Sequence, residues 1–345
     1  MKKALKWLLP VMVIALLVGA LCIFASAETE STDGQTAYYK VSIDGKETTY
    51  YSPEIASHGT KWGGHGKEYV ITLLADCVHT PVTNITVSYD VTLNLNGHTL
   101  NMTCSGTTSS GKESRFNMGT TPNFVVNGGT SATDGVKGNF STSTKTSRLI
   151  SFGACNVTFN NVIFTSVNGG TFFDFRIGAL TFNDCTFDFQ NNDSAAVFCA
   201  GQANVNPTVT FNRTTVNCKG AAVSAGRSDT GSTNATVIFN DSTINCTSSS
   251  YVFHHNGGSA AAASTFAGKM HSFTLNGTTV NAPDAPLFAA NNKINSHSEV
   301  IIGAGTVVNV KSVPVAEFYE LKAADGVSIV YTNGVDFKGV SAEDT

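Results

Sequence analysis

Three charged residues recur at nearly equal intervals, Asp184, Arg213 and Asp241, each directly after an asparagine (Asn183, Asn212 and Asn240). Two acids and a base in one column could do acid/base chemistry or grip sugar hydroxyls. They could equally form a charge ladder on the surface. Their position after asparagine reads as a mobile turn with no cleft implied, which favours the structural role. Cysteine offers a second chemistry. Of the eight cysteines, seven lie beyond residue 27, an odd number. Cys218 and Cys246 stand six positions after Asn212 and Asn240, so on stacked units they come within reach of a disulfide. That position points inward, which favours two buried thiols packing as small apolar groups. No CxxC or His/Cys spacing suggests zinc. His254-His255 reads as a solvated loop. Gly63-Gly64-His65-Gly66 lacks the lysine of a phosphate loop and reads as a flexible connection.

A repeat must position these residues. Hexads begin at Leu95 (LNGHTL), Phe159 (FNNVIF), Phe182 (FNDCTF), Phe211 (FNRTTV), Phe239 (FNDSTI) and Leu275 (LNGTTV), with weaker copies at Val126 and Ile302. Their second residues are Asn96, Asn127, Asn160, Asn183, Asn212, Asn240, Asn276 and, replacing asparagine, Gly303, separated by 23 to 36 residues. Repeats of that length with variable spacing indicate coils carrying loops of different size. Three positions before the anchor stand Leu93, Phe124, Val157, Leu180, Val209, Val237, Phe273 and Val300, and the position just before it is also apolar throughout. Four positions after it, seven of eight are apolar: Leu100, Phe164, Phe187, Val216, Ile244, Val280 and Val307. Asn94, Thr158, Thr181, Thr210 and Thr274 lie between the first two apolar columns. This alternation predicts short strands with one buried face. Asparagine tolerates a left-handed backbone and can turn the chain sharply between strands. A hairpin does not explain recurrence of whole columns. In a solenoid, equivalent residues stack roughly 4.8 Å apart, and the anchor amides can hydrogen-bond as a ladder.

With VTLNLNGHTL from Val91 to Leu100, followed by VTFNxxTF-type units, the chain resembles the right-handed parallel β-helix of the pectin-lyase-like superfamily over about residues 70–335. The expected fold is all-β: a right-handed single-stranded parallel β-helix with a small N-terminal capping segment. It should have about eight to ten coils and be roughly 40–50 Å long. The superfamily includes lyases, hydrolases, adhesins and inert stalks, so fold alone does not assign function.

Residues 1–27 read as an export signal, with Lys2, Lys3 and Lys6 before an apolar run and Ala25-Ser26-Ala27 as a cleavage site. An uncleaved membrane anchor is the alternative. The mature chain is expected to be secreted or on the cell surface of a bacterium, with no membrane contact after cleavage. Removing the signal moves the net charge from −4 to −7, with no basic patch for nucleic acid. Only 13% of residues are charged, so asparagine, threonine and serine must cover the surface. Residues 28–69 are expected to cap the solenoid. There Tyr38, Tyr39, Tyr50 and Tyr51 flank Asp44-Gly45, which reads as a hairpin turn. Serine-, threonine- and glycine-rich insertions at 103–112, 141–146, 247–250 and 257–264 read as loops. Residues 336–345 read as a tail, after which the coils either cap themselves or continue in a longer surface protein.

The resemblance also defines what an enzyme would need. A pectate lyase of this fold would need carboxylates for calcium and an arginine or lysine base on an outer face. The outward column five after the anchor reads Asn101, Ala132, Thr165, Asp188, Asn217, Asn245, Asn281 and Val308, with a single acid. Asp174 and Arg176, one coil before Asp188, complete the best catalytic candidate. Two carboxylates placed for inverting hydrolysis are not evident. A scaffold or adhesin binding polysaccharide or host cell-surface glycan without catalysis is the expected function, and a polysaccharide lyase or glycoside hydrolase is the alternative.

Overall fold

The computed structural model of the protein describes residues 34–80, 85–102, 116–118, 122–129, 137–142, 150–151, 155–166, 173–175, 178–190, 195–200, 207–226, 235–247, 251–256, 271–291, 298–312, 319–323 and 328–331. Residues 1–33, most of each insertion and residues 336–345 lie outside these residues. Three sheets, A, B and C, of twelve, ten and nine strands enclose one apolar core. Successive strands enter A, then B, then C. Gly178–Asn183 lies in A, Thr186–Phe189 in B and Val197–Ala200 in C, and the chain then returns to A at Thr208–Asn212. From Tyr69–Leu73 to Tyr319–Ala323 the ten remaining strands of sheet A pair in parallel. The chain is a parallel β-helix, as its repeat predicts.

Alternation supplies the core. In Thr208–Asn212, Val209 and Phe211 are buried while Thr208, Thr210 and Asn212 are partly exposed. Burying every second residue of each strand, coil after coil, is what stabilises a fold whose units cannot stand alone. Identical residues stack. Phe159 and Phe182 lie 5.5 Å apart, Phe182 and Phe211 5.0 Å, and Phe211 and Phe239 4.1 Å with rings 1° from parallel.

The asparagine ladder forms with one substitution. Side-chain Nδ2 donates to Oδ1 of the preceding coil from Asn276 to Asn240, Asn240 to Asn212, Asn212 to Asn183, Asn183 to Asn160 and Asn160 to Asn127, at 2.8–2.9 Å. Asn127 then donates to Asn94 at 2.9 Å, and Asn94 to the Thr72 hydroxyl at 3.4 Å. Asn96, expected as a rung, instead donates to the Leu73 carbonyl at 3.3 Å and has φ 52°. The registered strand is Val91–Asn94, with Leu93 opposite Val126, and its turn to Thr99 is longer than those after Asn160, Asn183, Asn212, Asn240 and Asn276. A two-residue slip leaves every side chain on its own face, so alternation could not distinguish the two registers.

Two further expectations are corrected. Asn96 is itself left-handed, but at five later anchors the left-handed residue is the one after it: Asn161, Asp184, Arg213, Asp241 and Gly277 have φ between 47° and 57°. The anchor finishes its strand so that its amide can join the ladder, and the bend passes to its neighbour. In the last hexad the turn Gly303–Thr306 is one residue longer, so Val308 is buried opposite Val280 while Val307 is 42% exposed. Asn309 takes the outward place expected for Val308.

The tight turns after Asn212, Asn240 and Asn276 are each closed by a small hydroxyl two residues after the anchor, a place that Val162 and Cys185 take after Asn160 and Asn183. Thr214 donates to the carbonyls of Phe182 and Asn212 at 3.2 and 3.1 Å. Ser242 donates to Phe211 and Asn240, and Thr278 to Phe239 and Asn276. The Asn212, Asn240 and Asn276 carbonyls also accept the backbone N–H of Asp184, Arg213 and Asp241, so each hydroxyl adds a second bond there.

At the N-terminal end, Tyr39–Ile43 pairs antiparallel with both Lys46–Tyr50 and Tyr69–Leu73. Asp44 and Gly45 carry positive φ at the hairpin turn. The outermost strand, Lys46–Tyr50, is exposed and charged at one end, which discourages further strand addition.

Candidate ligand-binding face

The outer surfaces of sheets A and B continue the columns. On A the middle column runs Thr158, Thr181, Thr210, Ile238 and Thr274, flanked by the ladder and by Thr208, Thr236 and Ser272. On B, Thr186, Thr215, Thr243 and Thr279 are in register. Beside them stand Asp188, Asn217, Asn245, Asn281 and Asn309. Asn245 donates to Asn217 at 2.8 Å and Asn281 to Asn245 at 3.0 Å, a second ladder that the sequence reading did not single out. Hydroxyls and amides thus recur every coil with almost no charge among them.

Sheet A also carries a depression. A cavity of about 210 Å³ lies at the N-terminal end of sheet A, lined by Lys67, Glu68, Tyr69, Asp90, Val91, Thr92, Asn123 and Val125. Its polar atoms are held by one another and by neighbouring residues. Asp90 Oδ1 accepts the Asn123 backbone N–H at 2.8 Å and its Nδ2 at 3.2 Å. Asn123 Oδ1 accepts from Asn156 at 3.2 Å. Lys67 Nζ reaches Asp44 Oδ2 at 3.1 Å, and Asp44 Oδ1 takes the Glu68 N–H at 3.1 Å. Those two bonds, the lysine's first, hold the Asp44 carboxyl below its ordinary value. Nothing in the residue types of 67–92 marks this cavity, because strands 33 residues apart in sequence build it.

The singled-out charged residues are partly brought together. Arg213 donates through Nε and Nη2 to both Asp184 oxygens, each at 2.8 Å. The pair is exposed, and its main effect is to lower Asp184 and raise Arg213 relative to their ordinary values. Asp188 is exposed on sheet B between Thr165 and Asn217, whereas the Asp174 backbone belongs to sheet C, paired with Ser151 and Phe198. The two acids therefore share no column, and Arg176 and the Asp174 side chain lie outside the described residues. Ala132 lies outside them too.

His254, expected in a solvated loop, is buried in strand Phe253–Asn256. Its Nδ1 is 3.1 Å from Ser224 Oγ and its ring stacks on Tyr251 at 4.5 Å. The register of sheet C places Ser224 opposite it, which the sequence does not reveal. Cys218 and Cys246 are register partners, both buried and not joined in a disulfide. Their mutual hydrogen bond, then burial, raises Cys218 well above its ordinary value.

A titratable cluster in the cap also escaped the sequence reading. Glu54 accepts from His79 Nδ1 at 2.8 Å and from the Thr80 N–H and hydroxyl at 2.8 and 2.6 Å. Burial alone would raise its carboxyl, but these bonds and the Ala56 N–H outweigh burial and hold it at about 2. His58 Nδ1 lies 3.2 Å from the Tyr39 hydroxyl, and its ring packs on Trp62. Burial pushes His58 down to about 4. A histidine lowered in the fold binds its proton more readily when unfolded. The contribution of His58 to stability should therefore be constant above pH 6.5 and fall by up to about 3 kcal/mol as pH drops from 6.5 to about 4. Glu54, also lowered, stabilises above pH 4.5, and that contribution is lost as pH falls towards 2. Urea midpoints measured across pH should show the first decline in the wild type and lose it in His58→Phe. An unchanged slope in that variant would remove His58 from the account.

Among the described residues no helix is long and apolar enough to cross a membrane, and no group of three or more His, Cys, Asp or Glu could hold a metal ion. No family model matches the chain, and no curated protein or solved structure matches it.

Proposed function

We propose that the chain is a secreted or cell-surface scaffold of the pectin-lyase-like superfamily, adhesin-like, that binds polysaccharide or host cell-surface glycan without turnover. The observation that supports this reading is the in-register array of outward threonine and asparagine on sheets A and B. Such an array offers donors and acceptors at a fixed repeat, as a chain of sugar hydroxyls does. Because each ladder amide is already held by its neighbour, little side-chain freedom is lost when a ligand docks. A mature net charge of −7 works against a polyanionic substrate.

A lyase or hydrolase built on Asp174, Arg176 and Asp188, with calcium, is the competing reading. A glycan array probed with the protein from residue 28 onward, with and without calcium and with product detection, separates the two. The expected result is glycan capture indifferent to calcium, with no unsaturated product from pectin, alginate or hyaluronan and no effect of Asp188→Asn. Calcium-dependent release of unsaturated sugar, abolished in that variant, would overturn the scaffold reading.

A further inference from the structure

The flat columns explain how a long glycan could lie along the solenoid but not where one sugar would be fixed. We propose that the cavity at the N-terminal end of sheet A is a subsite for one neutral pyranose, and that its carboxylates turn uronic acids away. This inference rests on the glycan-binding reading and adds a position and a selectivity to it.

Size comes first. At about 210 Å³ the cavity falls below the usual range for drug-sized ligands, roughly 300–1,000 Å³, so it suits one ring rather than an oligosaccharide. Its lining matches the two characters of a pyranose. Val125 offers apolar surface to ring C–H groups, while Asp90, Asn123, Thr92 and Lys67 surround it with acceptors and donors. A carboxylate accepting from sugar hydroxyls makes charge-assisted bonds, stronger than neutral ones. The groups are pre-positioned: Asn123 is gripped by Asp90 on one side and Asn156 on the other, and Lys67 is tied to Asp44. Pre-positioned groups lose less freedom on binding than free ones.

Selectivity follows from charge. One lysine faces Asp44, Glu68 and Asp90, so the surroundings are net negative and oppose an anionic sugar. From the cavity the outward residues continue to Asn156 and Thr158 on the next coil, where further sugars of the same chain could lie.

Saturation-transfer NMR of the mature protein with methyl glycosides of glucose, galactose and mannose, and separately with galacturonate, tests this. At least one neutral glycoside should receive transfer and galacturonate should not. Val125→Trp, which fills the cavity from the outer face, should weaken that signal about tenfold or more, as should Asn123→Ala. Both variants should keep the wild-type melting profile. Full signal in both variants, lost instead in Asn245→Leu on sheet B, would sink the subsite and leave the glycan reading standing. Transfer to galacturonate equal to that of the neutral sugars would overturn the selectivity. Silence from every monosaccharide alongside positive array glycans would remove the subsite alone, and silence in both assays would remove both proposals.

Discussion

Phe211→Ala should lower the unfolding free energy of the mature protein by about 3–5 kcal/mol. Phe211 is wholly buried, stacked between Phe182 and Phe239 at 5.0 and 4.1 Å and tilted against Phe187 at 5.9 Å. Removing the ring leaves a gap in the middle of a continuous column. The coils on either side cannot close it, because each is pinned by backbone pairing at a fixed spacing. The stacked contacts are lost as well, and aromatic pairs contribute beyond their buried area. Thr210→Ala, one residue away on the outer face, should stay within about 1 kcal/mol. Urea denaturation of the two variants side by side checks the assignment of faces. Comparable midpoint shifts would show that the alternation does not separate inside from outside.

The second large effect concerns a close approach of backbones. Gly178 has φ 99°, and a Cβ there would lie 2.0 Å from the Cys155 carbonyl oxygen. The two residues are register partners at the start of adjacent strands in sheet A. Gly178→Ala should therefore cost about 2–5 kcal/mol, combining left-handed strain with displacement of a backbone that has no room to move. Gly66 provides the contrast. Its φ is 66° and nothing lies within 4 Å of a Cβ added there, so Gly66→Asn should cost no more than about 1 kcal/mol. Thermal unfolding decides between them, and equal losses would mean that neighbouring coils are not so tightly apposed at Cys155.

The two predictions rest on different kinds of information. The place of Phe211 was legible in the chain itself, since recurring apolar columns define both the strand and its buried side. The close approach at Gly178 was not, because it depends on how one short coil sits on the next. The same division holds at the candidate sites. Asn183, Asn212 and Asn240 could be read as a ladder from type and spacing alone. The cavity of Lys67, Asp90 and Asn123 could not, because its walls come from separate coils and carry no shared motif. Nor could the pairing of Glu54 with His79, since a lone histidine in a strand says nothing about its partner.

The sequence by itself determined the parallel β-helix, its inward and outward faces and most rungs of its ladder. Each coil repeats one alternation, and stacking likes upon likes is the arrangement that buries all the apolar columns together. Tertiary structure alone decided register and closure: that Asn94 rather than Asn96 joins the ladder, that Val308 rather than Val307 turns inward, and that Asp174 and Asp188 stand on different sheets. For the ladder the physical reason is that a period of two is blind to a two-residue slip, and for the other two it is that alternation within a strand does not carry across a turn. The lengths of the turns, one or two residues at a time, then set which side chains meet.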